Sequence, residues 1–133
     1  MPNIEKRRLD IKRDNRGWVM EILRGSQLQM PDFGQIYLSV AKHGAVKGNH
    51  YHKKKTEWFC VIKGKGELLL MDVMSEEKIR MVLSDTDMQC IKIPQNTFHA
   101  IKNIGKGDMY LLAYIDKEYN PAEPDTYYDV NVE

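Results

Sequence analysis

From Gln35 onward the chain alternates, about every ten residues, between a short β-branched or aromatic run and a turn of Gly, Pro or charged residues. The runs cover residues 35–41, 58–62, 67–73, 79–83, 89–93, 98–103 and 109–115 and carry the composition of strands. That cadence belongs to an antiparallel sandwich or barrel and leaves no room for a helical fold. Gly64-Lys65-Gly66, Ser75-Glu76-Glu77 and Gly105-Lys106-Gly107 fall between consecutive runs and read as hairpin turns. Only residues 19–23 and 116–118 have room for brief helix, each too short to stand alone. Residues 120–126 hold two of the five prolines and are expected to run extended over the surface.

The length supports one core. At 133 residues and 42% hydrophobic content, the chain reads as a single domain over residues 1–133. Twenty basic side chains stand against nineteen acidic ones, for a formal charge of +1, so no global field draws it to nucleic acid. No window approaches the roughly 18 apolar residues of a membrane span, and Met1-Pro2-Asn3-Ile4 leads into charged residues rather than an apolar leader. A soluble, cytoplasmic protein with neither a nucleic-acid nor a membrane partner is expected. Cys60 and Cys90 sit in separate strand-like runs, far from any CxxC pattern, which argues against a disulfide framework or a zinc ribbon.

Three of the four histidines share one pattern with a glutamate. Gly44 is followed by His50-Tyr51-His52, then Glu57, then Gly64; Pro94, His99 and Asn103 come far downstream. Positions i and i+2 of a strand face the same way, so His50 and His52 can aim two imidazoles at one ion. Glu57 opens the next strand. If that strand pairs beside the first, and the strand from Phe98 crosses the same interior, His99 adds a third imidazole. His50, His52, Glu57 and His99 then form a ligand set for a divalent metal: zinc, iron, manganese or nickel. Four protein ligands leave space for substrate only if the ion exceeds four-coordination. A lone strand histidine is more often a hydrogen-bonded residue than a ligand, and His43, which precedes a turn glycine and fits no spacing, is read that way. For the other three, the joint spacing outweighs that reading.

Gly44, His50-Tyr51-His52, Glu57 and Gly64 resemble the first cupin motif in every signature position, and Pro94-Gln95-Asn96-Thr97-Phe98-His99 with Asn103 resembles the second. Two departures stand out: Asn96 replaces the usual glycine, and Met88 stands where another glycine is common. Asn tolerates positive φ, so the turn can survive. The resemblance implies an all-β cupin fold, a double-stranded β-helix or jelly-roll barrel. Lys47-Gly48-Asn49-His50-Tyr51-His52, Ile93-Pro94, Ile104-Gly105 and Asn120-Pro121 through Pro124-Asp125-Thr126-Tyr127 further resemble the C-terminal cupin domain of bifunctional capsular polysaccharide-assembling enzymes. Asp14-Asn15-Arg16-Gly17 with Glu21 is similar to a related cupin family, the dTDP-4-dehydrorhamnose 3,5-epimerases.

These likenesses imply a stand-alone epimerase or keto-isomerase of a nucleotide-linked 4-keto-6-deoxyhexose for surface polysaccharide, zinc-bound in the capsular branch and metal-free in the rhamnose branch. A 4-ketone makes its α-proton at C3 or C5 removable if a cation or aligned donors meet the enolate oxygen. In the rhamnose branch the histidine matched by His50 is the base. A metal-bound imidazole cannot also accept that proton, so His50 is assigned to the metal and the base is left open. Tyr114 lies one position from those enzymes' catalytic tyrosine and is a catalytic candidate by that likeness. Arg16 and Glu21 match residues that contact phosphate and base of the nucleotide, and Lys47 matches a substrate-facing arginine; all three are substrate-binding candidates by resemblance. The Lys53-Lys54-Lys55 run is read as solvated. A homodimer is implied, the N-terminal strand crossing between subunits. Two rivals share the ligands: an iron-dependent cupin dioxygenase and a non-catalytic sugar-binding cupin.

Overall fold

The computed structural model describes residues 4–128. Its strands are β1 (Ile11–Asp14), β2 (Gly17–Arg24), β3 (Gln35–Ala41), β4 (Val46–His50) and β5 (Glu57–Lys63), followed by β6 (Lys65–Asp72), β7 (Lys78–Ser84), β8 (Ile91–Ile93), β9 (Thr97–Asn103) and β10 (Met109–Ile115). One helical turn, α1 (Gly25–Leu28), interrupts them. The strands form two antiparallel sheets, ordered β1-β2-β3-β10-β5-β8 and β4-β9-β6-β7. Among the described residues no helix is long and apolar enough to cross a membrane.

Side-chain alternation builds the space between the sheets. Phe59 and Val61 of β5 with Leu111 and Ala113 of β10 point inward from the six-stranded sheet. Leu68 and Leu70 of β6 and Ile101 of β9 meet them from the four-stranded one. The apolar filling occupies one end of this barrel. At the other end the inward positions change character, to Gln35 and Tyr37 on β3, Glu57 on β5 and His99 on β9, all but Tyr37 at or below 5% exposure. Burying these groups is tolerable only where they satisfy one another or a ligand.

The strand reading holds from Gln35 onward, with β8 trimmed to three residues. Residues 19–23 are strand rather than helix. Their Val, Met, Ile and Leu side chains suit either state, and the ladder of β2 against β3, irregular only at Ile22, decides between them. Residues 116–118 also form no helix; the Asp116 carboxylate instead accepts from the Thr56 N–H at 2.9 Å. Of the three turns read as hairpins, only Ser75-Glu76-Glu77 joins paired strands, β6 and β7. Gly64 and the Gly105-Lys106-Gly107 turn instead carry the chain from one sheet to the other, because β5 and β10 lie in one sheet while β6 and β9 lie in the other. The segment after β10 is largely exposed, yet it is anchored: Tyr51 and Tyr127 exchange two backbone hydrogen bonds of 3.0 Å.

Candidate metal centre

Three separate backbone features bring the histidines and the glutamate together. On β4, Gly48 (φ 91°) and Asn49 (φ 63°) adopt left-handed backbone at a register shift against β9. The resulting bulge turns His50 inward opposite His99. A Cβ on Gly48 would stand 2.8 Å from the His99 carbonyl oxygen, so only glycine fits this crossing. The strand stops there, and His52 follows as loop rather than as the second residue of a regular i, i+2 pair. That loop is docked on the second motif, where the Asn96 N–H donates to the His52 carbonyl at 2.7 Å and Gln95 Nε2 to the Lys54 carbonyl at 3.0 Å. Asn96 itself has φ 59°, the conformation a glycine would supply in its place.

Glu57 arrives from across the barrel. The strand it opens does not pair beside β4, the arrangement on which the sequence conditions the ligand set; β4 pairs with β9, and β5 lies in the facing sheet. The carboxylate therefore closes the cluster from the opposite wall. Ligand atoms of His50, His52, Glu57 and His99 all lie within 4.8 Å of one another, close to what one ion bridges with bonds of about 2.0–2.2 Å.

Each ring is held by its second nitrogen or by its neighbours. His52 Nδ1–H donates to the Asp125 carbonyl at 2.7 Å, and His99 Nδ1–H donates to the Thr97 carbonyl at 3.1 Å, so both present Nε2 to the centre. The His50 ring stands edge-on to that of His99 at 4.8 Å. His52 Nε2 meets Glu57 Oε1 at 2.7 Å, and the other carboxylate oxygen accepts from the Tyr37 hydroxyl at 2.7 Å. His99 Nε2 is buried with no hydrogen-bond partner among the described residues. A buried, unsatisfied acceptor beside a carboxylate is what a cation would complete, and three imidazoles with one carboxylate suit zinc, manganese, iron or nickel.

The electrostatics match. Burial is the largest influence on Glu57 and favours its neutral form, but the hydrogen bond from His52 and the His99 ring 3.4 Å away outweigh it and hold the carboxyl below its ordinary range. For His50, burial first and then the charges of His99 and His52 push the value down to about 3, so the ring is neutral at physiological pH. For His52 burial opposes protonation, yet the Glu57 hydrogen bond and charge prevail and raise its value. Tyr37 is raised well above normal by burial and then by the Glu57 charge, and so remains a donor.

The cluster opens into a cavity of about 140 Å³, whose wall includes Gln35, Tyr37, Lys55, Ile115, Tyr119 and Thr126. Gln35, Tyr37 and Tyr119 also line a larger groove of about 970 Å³ floored by β1 and β2. Arg16 and Glu21 both lie in that groove, paired within it. Arg16 forks onto Asp14 at 2.7 and 3.2 Å, an ion pair that brings Asp14 down to about 2; Glu21 stands 3.7 Å from Arg24. Lys47, opposite Ile101 in register, is only 6% exposed, and its Nζ has no hydrogen-bond partner among the described residues. Burial, followed by the Arg16 charge, lowers its value.

Tyr114 is not brought to the cluster. Ile115 lines the cavity, and alternation along β10 sends Tyr114 to the other side of the sheet. There it packs against Phe33 and Trp58, and its hydroxyl accepts from the Gly34 N–H at 3.2 Å. His43 likewise stays away, hydrogen-bonded to the Gly105 carbonyl. Lys53 and Lys54 are exposed as expected, but Lys55 is 6% exposed and reaches the Pro124 carbonyl at 3.4 Å. Tyr37, Lys55 and Asp125 are participants that the sequence did not mark; the one available signal was the polar i, i+2 run Gln35, Tyr37, Ser39 at inward positions of an otherwise apolar strand.

Comparison with known proteins agrees with this architecture. Residues 12–127 match the family described as polysaccharide biosynthesis C-terminal domain. The chain is 28% identical to a Pseudomonas aeruginosa UDP-2-acetamido-2,6-beta-L-arabino-hexul-4-ose reductase, covering 86% of this chain but 29% of that one. It is 27% identical to the Haloferax volcanii probable low-salt glycan biosynthesis epimerase Agl13, covering 94% and 86%. Among solved structures, the capsular polysaccharide assembling protein CapF of Staphylococcus aureus superimposes with TM-score 0.84 at 32% identity, covering 92% of this chain and 34% of CapF. The chain thus spans about a third of the reductase and of CapF. Oxalate decarboxylase of Bacillus subtilis, at 20% identity and TM-score 0.72, shares the cupin fold; manganese(II) centres have been described in that enzyme.

Proposed function

The chain belongs to the polysaccharide biosynthesis C-terminal domain family, and on that premise we propose that it is a cytoplasmic, homodimeric enzyme that epimerises or keto-isomerises a nucleotide-linked 4-keto-6-deoxyhexose for surface polysaccharide. The observation that supports this reading most is the His50, His52, Glu57 and His99 cluster, opening through Tyr37 and Gln35 onto a basic groove. The named relatives modify sugars, and a cation at the cluster would meet a developing enolate oxygen. Bound there, zinc or another divalent ion would act as a Lewis acid toward a ketone oxygen.

The chain's own residues have separable tasks. The Tyr37 hydroxyl fixes the Glu57 carboxylate and the Asp125 carbonyl fixes the His52 ring, so ligand orientation is set before loading. Without a metal, His52 donates from both nitrogens, to Asp125 and to Glu57, and a cation must displace the second of those protons. Phe59 and Ile115 close the inner wall against water. Arg16 and Lys47 supply positive charge for a diphosphate, and Glu21 an acceptor for the nucleobase. Arg16 is already held by Asp14, so a phosphate must compete for its fork. Tyr114, facing away, has no part in this scheme.

The decisive experiment is solvent exchange. UDP- or dTDP-linked 4-keto-6-deoxyglucose incubated with the metal-loaded protein in deuterium oxide should gain deuterium at C3 or C5, with loss of exchange in His52→Ala. A fully loaded protein that leaves both carbons protonated in both nucleotide series would sink the reading. The same four ligands also suit a second reading, an iron-dependent cupin dioxygenase. Tightly held iron with oxygen consumption, and no exchange, would favour it.

A further inference from the structure

Nothing in the sequence relates Cys60 to Cys90, but the sheet does. β8 runs antiparallel to β5 with Glu57 opposite Ile93, Trp58 opposite Lys92 and Phe59 opposite Ile91. Extending that register by one residue, to the position just before β8 begins, brings Cys90 to face Cys60. Side-chain direction agrees. Phe59 and Val61 are core residues, so Cys60 between them projects from the outer face of the sheet. Ile93 is core and Ile91 packs against the same cluster, so Cys90 also projects outward. Antiparallel partners stand about 4.5–5.5 Å apart between Cα atoms, inside the roughly 4.4–6.8 Å that a disulfide spans. Both cysteines are free thiols, Cys90 exposed and Cys60 half-buried.

We infer that Cys60 and Cys90 form a cross-strand dithiol, a modification site that a peroxide closes into an intramolecular disulfide. The exposed Cys90 is the first nucleophile. Its thiolate attacks one oxygen of hydrogen peroxide, the O–O bond breaks, and hydroxide leaves as Cys90 becomes a sulfenic acid. The Cys60 sulfur then attacks the Cys90 sulfur, forming the S–S bond as the S–O bond breaks and water departs. Two thiols are oxidised to one disulfide while one peroxide is reduced to two waters. Neither cysteine belongs to the metal cluster. The bond fastens β8, a three-residue strand at the sheet edge, to the strand that begins with Glu57, and it closes the loop that contains β6 and β7.

Peroxide treatment of the full-length chain, followed by mass spectrometry under denaturing, non-reducing conditions, tests this directly. Both thiols should vanish together, the mass should fall by about two daltons, one proteolytic fragment should join the two cysteines, and Tm should rise until a thiol reductant reverses it. Cys90→Ser, at an exposed position, should keep the wild-type metal content and show no such rise; Cys60→Ser should behave alike. Two persistent thiols, a sulfenic or sulfinic acid on Cys90 beside a free Cys60, or a covalent dimer through Cys90 would each overturn the inference.

Discussion

The histidine cluster and the groove beside it share a wall but are built on opposite terms. In the cluster every ligating side chain except His50 is at or below 7% exposure; Glu57 and His52 are fixed by hydrogen bonds to distant parts of the chain, and His99 by the Thr97 carbonyl on its own strand. In the groove, the Arg16 and Asp14 side chains are 48% and 43% exposed and satisfy each other across one turn. The difference teaches how labour divides in such a barrel. Geometry that must be accurate before any ligand arrives is held in burial and, at Glu57 and His52, by long-range contacts, whereas charge that must yield to a ligand is held in the open by a short-range one.

The sharpest break in that contrast is removal of a ligand. His52→Ala and Glu57→Gln should reduce bound metal from one equivalent to near zero by elemental analysis and lower any exchange rate by about 10²–10³-fold or more; wild-type metal content in either variant would dissolve the distinction. Next comes Tyr37→Phe, which leaves the four ligands intact but frees one oxygen of Glu57. Metal affinity should weaken by about 10–100-fold in a competitive chelator titration. In the groove, Arg16→Ala should raise KM about tenfold with kcat little changed, the signature of lost uniform binding.

Acid provides a further test on the metal-free protein. The folded value of His50, about 3, lies below its ordinary 6.5, so between those limits the unfolded chain binds a proton that the folded one refuses. Stability should therefore fall as pH drops from about 6.5 towards 3. Glu57, also depressed, adds stability above its ordinary range that is lost at still lower pH. His52 has the opposite sign: its raised value stabilises the protonated fold below about 6.5, and that contribution disappears as pH rises through the folded value. Urea midpoints at pH 7 and pH 4 should show the net acid loss. The smallest expected effect is that of Asp14→Asn, which should leave Tm unchanged and slightly tighten anion binding by releasing Arg16.

How much of this could be read in the chain depended on distance. His50, His52, Glu57 and His99 were legible because their spacing repeats a pattern, and Asn96 because its φ preference is local. The route by which they meet was not. Whether β4 pairs with β5 or with β9 turns on which turn crosses between sheets, and Gly64 serves a crossing as readily as a hairpin. Tyr37, Lys55 and Asp125 escaped for a related reason: a tyrosine in a strand, a lysine in a lysine run and a carbonyl in a proline-rich tail acquire meaning only through partners 20 to 73 positions away. Tyr114 failed by one residue, which in a strand is enough to reverse the face.

The carbonyl that steadies His52 belongs to Asp125, 73 positions downstream, and this sets a schedule for biogenesis. A ribosome delivers both histidine motifs well before it delivers that residue. A chain that holds all four donors but not yet the docked tail lacks the latch on one imidazole, so a firmly oriented His52 depends on a segment outside both histidine motifs.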